Sequence, residues 1–239
     1  MNQQNFEEAR QSEMSYHSQF YEENDLFESG TWMSGPGPVV LDMLDRLMQH
    51  KRDLKVLDLG SGVGRNTIPV ATRLTDSNSS ITAVDLLDNA INKLKEYARK
   101  YQVEHLIKAE AADVEHYAIP EGSYDYILAC SCLEHTSSEE ALRTVLHRMQ
   151  KATQLGGIHV ITMSTDVQEV EEETGNIREG LIELNLSSEQ ALEMLHDTYE
   201  GWNVLVEKTV PQSIDEEKEG VAIKFQCTLI TYVVQRVQE

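Results

Sequence analysis

The stretch Asp58-Leu59-Gly60-Ser61-Gly62-Val63-Gly64-Arg65-Asn66 decides how this chain is read. It follows the apolar run KVLDL (55–59), a buried-strand pattern, and it opens a helix. Glycines at such a junction let the backbone turn sharply and let a ligand approach where a Cβ would stand. In an open α/β sheet that ligand lies outside the carboxyl ends of the strands, near the topological switch point. Three details sharpen the motif. Asp58 stands two residues before Gly60, at the strand end. The dinucleotide fingerprint G-x-G-x-x-G wants glycine at position 65, where this chain has Arg65. No G-x-x-x-x-G-K-[ST] occurs, so this is no phosphate-binding P-loop. The loop therefore points away from a pyrophosphate and towards a cationic nucleoside. Pro69 is the one discordant residue, because it removes a backbone donor and should start or bend the helix after the glycines.

Strand and helix alternate outward from this point. Short apolar runs at Ile81–Asp85, Leu106–Ala109, Tyr124–Cys130 and Gly157–Met163 read as further strands. Helical patterns separate them, one after Asp88 as N-cap and one opened by a Ser137/Glu140 capping box. Such alternation implies a parallel sheet with helices on both faces. Upstream, Gly35-Pro36-Gly37-Pro38 makes a turn with Pro38 in a first helical turn. Beyond Ser164 the rhythm breaks. Glu169–Glu173 reads as a solvated loop, and Ser187 with Gln190 starts another helix. Trp202–Val206 and Phe225–Val234 read as strands joined by the acidic link Asp215–Glu219. There is neither an internal repeat nor an interdomain linker. The expectation is one domain over residues 1–239, in which residues 1–50 form an N-terminal helical cap or lid.

The chain has 239 residues, 20 Lys and Arg against 41 Asp and Glu, and a net charge of −21. That excess repels phosphate backbones and anionic membrane surfaces, so neither a nucleic acid nor a membrane is the expected partner. No run of 18 apolar residues exists. The polar start lacks the basic and apolar regions of a signal peptide. Three cysteines do not make a disulfide framework, so a cytoplasmic setting is expected. Residues 1–30 hold seven acids and one base, Arg10, yet spend five aromatics (Phe6, Tyr16, Phe20, Tyr21, Phe27), which predicts that this segment docks on the domain.

Over roughly residues 36–165 the sequence resembles the class I S-adenosylmethionine-dependent methyltransferases. VLDLGSGVG (56–64) is similar to that family's first motif. The resemblance implies a Rossmann-like, seven-stranded, mostly parallel sheet with helices on both faces and an antiparallel last strand. It implies that Asp58, Gly60, Ser61, Gly62, Gly64 and Asn66 surround the methionine part of S-adenosyl-L-methionine. Asp85, with Leu86 beside it, matches the acid that holds the ribose diol, a task suited to a carboxylate that accepts two hydrogen bonds. Ala112, Asp113 and Val114 match the adenine-binding turn. Cys130 and Ser131 match the position beside the transferable methyl. GRN (64–66), LEH (133–135) and the aromatic segment ending in Trp32-Met33 resemble the small-molecule, tellurite-resistance-type subgroup.

Methyl transfer needs alignment and desolvation more than any fixed catalytic group. His135, in the loop after the fourth strand, is the candidate base or acceptor-positioning group, and Glu134 the residue that orients it or bonds a backbone amide. Tyr16, Tyr21 and Trp32 are candidates for a lid, since aromatic faces attract a sulfonium or a cationic substrate. Cys130 and Cys132, at i and i+2 on a strand, share a face. They suit a soft metalloid, but no third nearby cysteine or close pair of histidines supports them, and no metal is expected. The reading is a methyltransferase acting on a small molecule, with S-adenosyl-L-homocysteine as product. The alternatives are an RNA or protein methyltransferase and a non-catalytic S-adenosylmethionine-binding protein. Arg65 disfavours a nicotinamide-dependent oxidoreductase.

Overall fold

The computed structural model describes residues 3–75, 78–180, 182–218 and 221–237. In chain order the elements are α1 (Gln3–Glu23), α2 (Pro38–Met48), β1 (Lys55–Leu59), α3 (Thr67–Arg73), β2 (Ser80–Asp85), α4 (Asp88–Lys100), β3 (Ile107–Ala111), β4 (Tyr124–Cys130), α5 (Glu139–Ala152), β5 (Thr153–Glu171), β6 (Ile177–Glu179), α6 (Ser188–Thr198), β7 (Asn203–Lys218) and β8 (Val221–Gln235). The sheet runs β3-β2-β1-β4-β5-β8-β7, with β6 paired to the side of β5. β1 to β5 are mutually parallel, and β8 is antiparallel to both β5 and β7.

Apolar runs without alternation are what a sheet covered on both faces requires. Val56 and Leu57 are both fully buried, on opposite faces. Val56 packs among residues of α2, α3 and α4, and Leu57 among residues of α5 and α6. Tyr126 and Ile127 in β4 repeat the division. Tyr126 also ties its face down by donating its hydroxyl to the carbonyl of Val40 at 2.7 Å.

The helix starts follow local chemistry. Pro69 bends nothing: α3 begins at Thr67, so the proline lies in the first turn, where its missing N–H would have no helical partner. α4 is capped by Leu87, and Asp88 lies one position inside, where an acid suits the helix dipole. The cap of α5 is Ser138, which accepts from the Ala141 amide, whereas Ser137 donates to Glu115. The Ser187/Gln190 capping box of α6 is present in both directions.

The C-terminal third departs from the sequence pattern. β5 spans 19 residues, β7 16 and β8 15. Residues 169–171 therefore belong to a strand rather than a loop, and Glu169 is buried. Residues 215–218 likewise continue β7 to its end. Cross-strand pairing of opposite charge accommodates the acids: Lys224 lies opposite Asp215 in register and contacts it at 2.7 Å and Glu172 at 2.8 Å.

His159 in β5 is fully buried, with its ring nitrogens against the hydroxyls of Thr153 and Tyr199. Burial pushes its pKa down to about 3. The native state thus holds a neutral imidazole, while the unfolded chain takes up a proton near pH 6.5. Stability from this residue is full above pH 6.5 and is lost as the pH falls towards 3. By pH 4 the loss is roughly 3 kcal/mol. Urea unfolding of wild type and His159→Phe at pH 7 and pH 4 checks this: the difference between the two pH values should be smaller in the variant.

Candidate functional site

The carboxyl ends of β1, β2 and β4 open into a cavity of about 770 Å³, and α1 lies across it. Strand order reverses between β1 and β4, so this is the switch point of the sheet. The loop after β1 contributes Gly60, Ser61, Gly62 and Asn66, and the end of β2 contributes Asp85 and Leu86. Asp113 and Val114 line it from the turn after β3, and Cys130 and Ser131 from the end of β4. Glu134 and His135 follow on a short 3-10 turn, Leu133–His135. Tyr16 and Tyr21 come from α1 and Trp32 from the segment after it.

Three of the expected residues act from behind this wall. Asp58 is buried and accepts from Thr67 Oγ1 at 2.6 Å, which fixes the start of α3. Burial, with a smaller push from Asp85, raises its pKa to about 7 despite the Thr67 bond. Gly64 faces Leu94 and Ile68, leaving no room for a side chain. Ala112 donates its amide to the Asp85 carbonyl at 2.9 Å and packs beneath the turn.

Asp85 organises the loop. Its Oδ2 accepts from the Gly62 amide at 2.7 Å and its Oδ1 from the Leu87 amide at 2.9 Å. A carboxylate offers about four lone-pair sites, so acceptor capacity remains for a diol. Burial raises its pKa, against the pull of those amides. Ser61 Oγ and Glu134 Oε2 are buried with no hydrogen-bond partner among the described residues. Buried polar atoms are nearly always paired, and both residues line the cavity, so each is suited to a polar ligand atom. A Cβ on Gly62, whose φ is +52°, would stand 2.7 Å from Tyr21 Oη. The glycine thus admits both the turn and the close approach of α1. A glycine-walled loop, an acid with acceptor capacity to spare and two buried polar atoms lining the cavity fit S-adenosylmethionine. With no phosphate to balance, the site needs no basic cluster.

The segment around α1 is bound to the site by residues that spacing alone does not reveal. Arg10 donates to Asp113 Oδ2 at 2.8 Å and to the His135 carbonyl at 2.8 Å. Burial opposes the charge on Asp113, but the Glu115 amide and Arg10 outweigh it and lower its pKa. Arg65 Nε donates to the Gly35 carbonyl at 2.6 Å, and Asn66 Oδ1 accepts from the Gly37 amide at 3.0 Å. Phe20 stacks on Trp32, with centroids 5.1 Å apart. As the one base among seven acids, Arg10 was visible in the sequence; its partner was not.

His135 is held by Glu183, whose Oε2 lies 2.7 Å from Nδ1. Glu183 comes from the segment between β6 and α6, 48 residues further on, and no motif marks it. Burial works against a charged imidazole, but Glu183, Glu134 and Glu13 raise its pKa to about 9. His135 is therefore a donor, not a base, in the free protein at neutral pH. Glu134 does not orient it: its Oε1 accepts from the Ser164 amide at 2.9 Å.

The two cysteines do not share a face. β4 ends at Cys130, and Ser131 adopts φ +53°, which breaks the alternation. Cys130 packs against one core and Cys132 into the other, with the Cys132 thiol donating to the Leu59 carbonyl at 3.2 Å. Burial pushes Cys130 up to about 12 and Cys132 well above the usual range, so both are thiols in the free protein.

Residues 56–157 match the family model described as a methyltransferase domain. The strand order, with its antiparallel last strand, is that of a Rossmann-like methyltransferase fold. This is the fold of the class I S-adenosylmethionine-dependent methyltransferase superfamily. Among solved structures with this methyltransferase fold, the chain is similar to TehB from Haemophilus influenzae. The TM-score is 0.59 at 20% identity, over 82% of this chain and 62% of that one. Among curated proteins it is 26% identical over 141 residues to a sterol 24-C-methyltransferase of Candida albicans, covering 57% of this chain and 37% of that protein. It is 27% identical over 143 residues to the tRNA N(3)-methylcytidine methyltransferase trm140 of Schizosaccharomyces pombe, covering 57% and 45%. The chain thus spans less than half the length of these curated relatives. Their names give unlike acceptors, so the likeness lies in the methyltransferase core. Among the described residues, no helix is long and apolar enough to cross a membrane.

Proposed function

We propose that the protein transfers a methyl group from S-adenosyl-L-methionine to a small molecule, releasing S-adenosyl-L-homocysteine. The observation that carries this is Asp85 at the end of β2, with the Gly62 amide folded onto it beside the capped cavity. In this reading Gly60, Ser61, Gly62 and Asn66 hold the methionine end, Asp85 and Leu86 the ribose, and Asp113 and Val114 the adenine. Cys130 and Ser131 lie beside the reacting carbon. When bound, the sulfonium supplies an electrophilic methyl. The chain's own residues exclude water and align the acceptor. Residues 1–50 serve as the lid, with Tyr16, Tyr21 and Trp32 facing the ligand. His135, braced by Glu183, positions the acceptor by donating to it.

A small acceptor is favoured by the charge of −21, since a polyanion would meet repulsion. The GRN (64–66), LEH (133–135) and Trp32-Met33 resemblance is what favours the small-molecule, tellurite-resistance-type subgroup. A count of three cysteines, odd and too sparse for a disulfide framework, suits a reducing cytoplasm. The test is release of S-adenosylhomocysteine with a panel of small hydroxyl, amine and thiol acceptors, and with structured RNA and a protein extract. Turnover with one small class is the expected result. Turnover only with RNA or protein would assign the acceptor elsewhere, and tight binding without turnover on any acceptor would leave a sensor.

A further inference from the structure

We infer that Glu13, His17 and His135 form a binding site for one divalent transition-metal ion, closing the α1 lid onto the loop after β4. Glu13 and His17 are four residues apart, so they project from the same face of α1. His17 Nε2 lies 3.7 Å from Glu13 Oε2. His135 approaches from the other wall, with its ring 6.3 Å from that of His17. One ligand atom from each of the three lies within 4.8 Å of the others. Nitrogen and oxygen ligands around tetrahedral zinc stand about 3.3 Å apart, so a contraction of at most about 1.5 Å would close the set.

The ligand types and their support agree with this. Two imidazoles and one carboxylate suit zinc and the neighbouring first-row ions rather than magnesium or calcium. A metal-bound histidine ordinarily has its other nitrogen held by a carboxylate or a backbone carbonyl. His135 already has that brace in Glu183 on Nδ1, so an ion would displace the proton from Nε2, and in the metal-bound state the ion, not a donated hydrogen bond from His135, would meet the acceptor. Glu183 and Glu134 add negative charge around the histidine, and all three proposed ligands line the cavity. Sequence spacing hides the site because His135 lies far from the α1 pair. Three protein ligands leave a further position for an oxygen donor, which in the cavity is water or a hydroxyl of the acceptor. That last step rests on the methyltransferase reading; metal binding does not.

The test is titration of the metal-free full chain with Co²⁺ and with Zn²⁺, without S-adenosylmethionine, following the cobalt spectrum and zinc competition with a chromophoric chelator. Wild type should bind one equivalent, with no sulfur-to-cobalt charge-transfer band, and its melting temperature should rise. His17→Ala and Glu13→Gln should each weaken binding by more than about 10-fold, and His50→Ala, at an exposed position away from the site, should not. Circular dichroism of each variant establishes its fold, and the milder Glu13→Gln carries the test where His17→Ala unfolds. No stoichiometric binding, a thiolate spectrum, or equal affinity in wild type and both variants would overturn the site.

Discussion

Asp85→Ala should raise the dissociation constant for S-adenosylmethionine by roughly 10- to 100-fold, the equivalent of about 1.5–3 kcal/mol for hydrogen bonds to a buried charged group. Two effects add. The ribose loses its acceptor, and the Gly62 and Leu87 amides, now held at 2.7 and 2.9 Å, lose the group that fixes the loop. The fold itself should tolerate the change, because burial already disfavours the Asp85 carboxylate. Asp85→Asn keeps the size but loses the charge and half of the acceptor capacity, so it should fall between the two. Calorimetric titration reads all three proteins. Unchanged affinity in Asp85→Ala would place the ribose elsewhere.

Gly60→Ala should destabilise the protein by about 2–4 kcal/mol in urea unfolding. The backbone at Gly60 has φ +68°, which alone costs an alanine about 1 kcal/mol. The added Cβ would stand 2.3 Å from the Cβ of Cys132, a buried atom close to the main chain that cannot swing aside. Gly122 is the internal comparison: its φ is +56°, and nothing lies within 4 Å of an added Cβ. Gly122→Ala should therefore lose only about 1 kcal/mol. Equal losses at both positions would mean that the loop yields and that the contact with Cys132 sets nothing.

The contrast between these glycines shows what was legible in the sequence. That Gly60, Gly62 and Gly64 make a turn follows from residue type, and the five parallel strands follow from short apolar runs between helical patterns. These are local signals, and the strand boundaries Tyr124–Cys130 were readable to the residue. What the glycines avoid was not readable, because Cys132, Tyr21 and Leu94 reach them only through the tertiary fold. The same limit hides Glu183 behind His135 and Arg10 behind Asp113. The long β5 and β7 strands were cut short because acids such as Glu169 and Asp215 read as loop, while Lys224, which compensates Asp215, lies across the sheet. The i, i+2 rule failed for Cys130 and Cys132 because one left-handed residue, Ser131, ends the strand between them.

The measurement that bears most directly on the central claim is isothermal titration of the purified wild-type chain with S-adenosylmethionine, S-adenosylhomocysteine and NAD. One equivalent of each S-adenosyl ligand should bind, and NAD should give no heat of binding. Binding of NAD instead, or of none of the three, would contradict the assignment of the capped cavity at Asp85 and Gly60–Gly62.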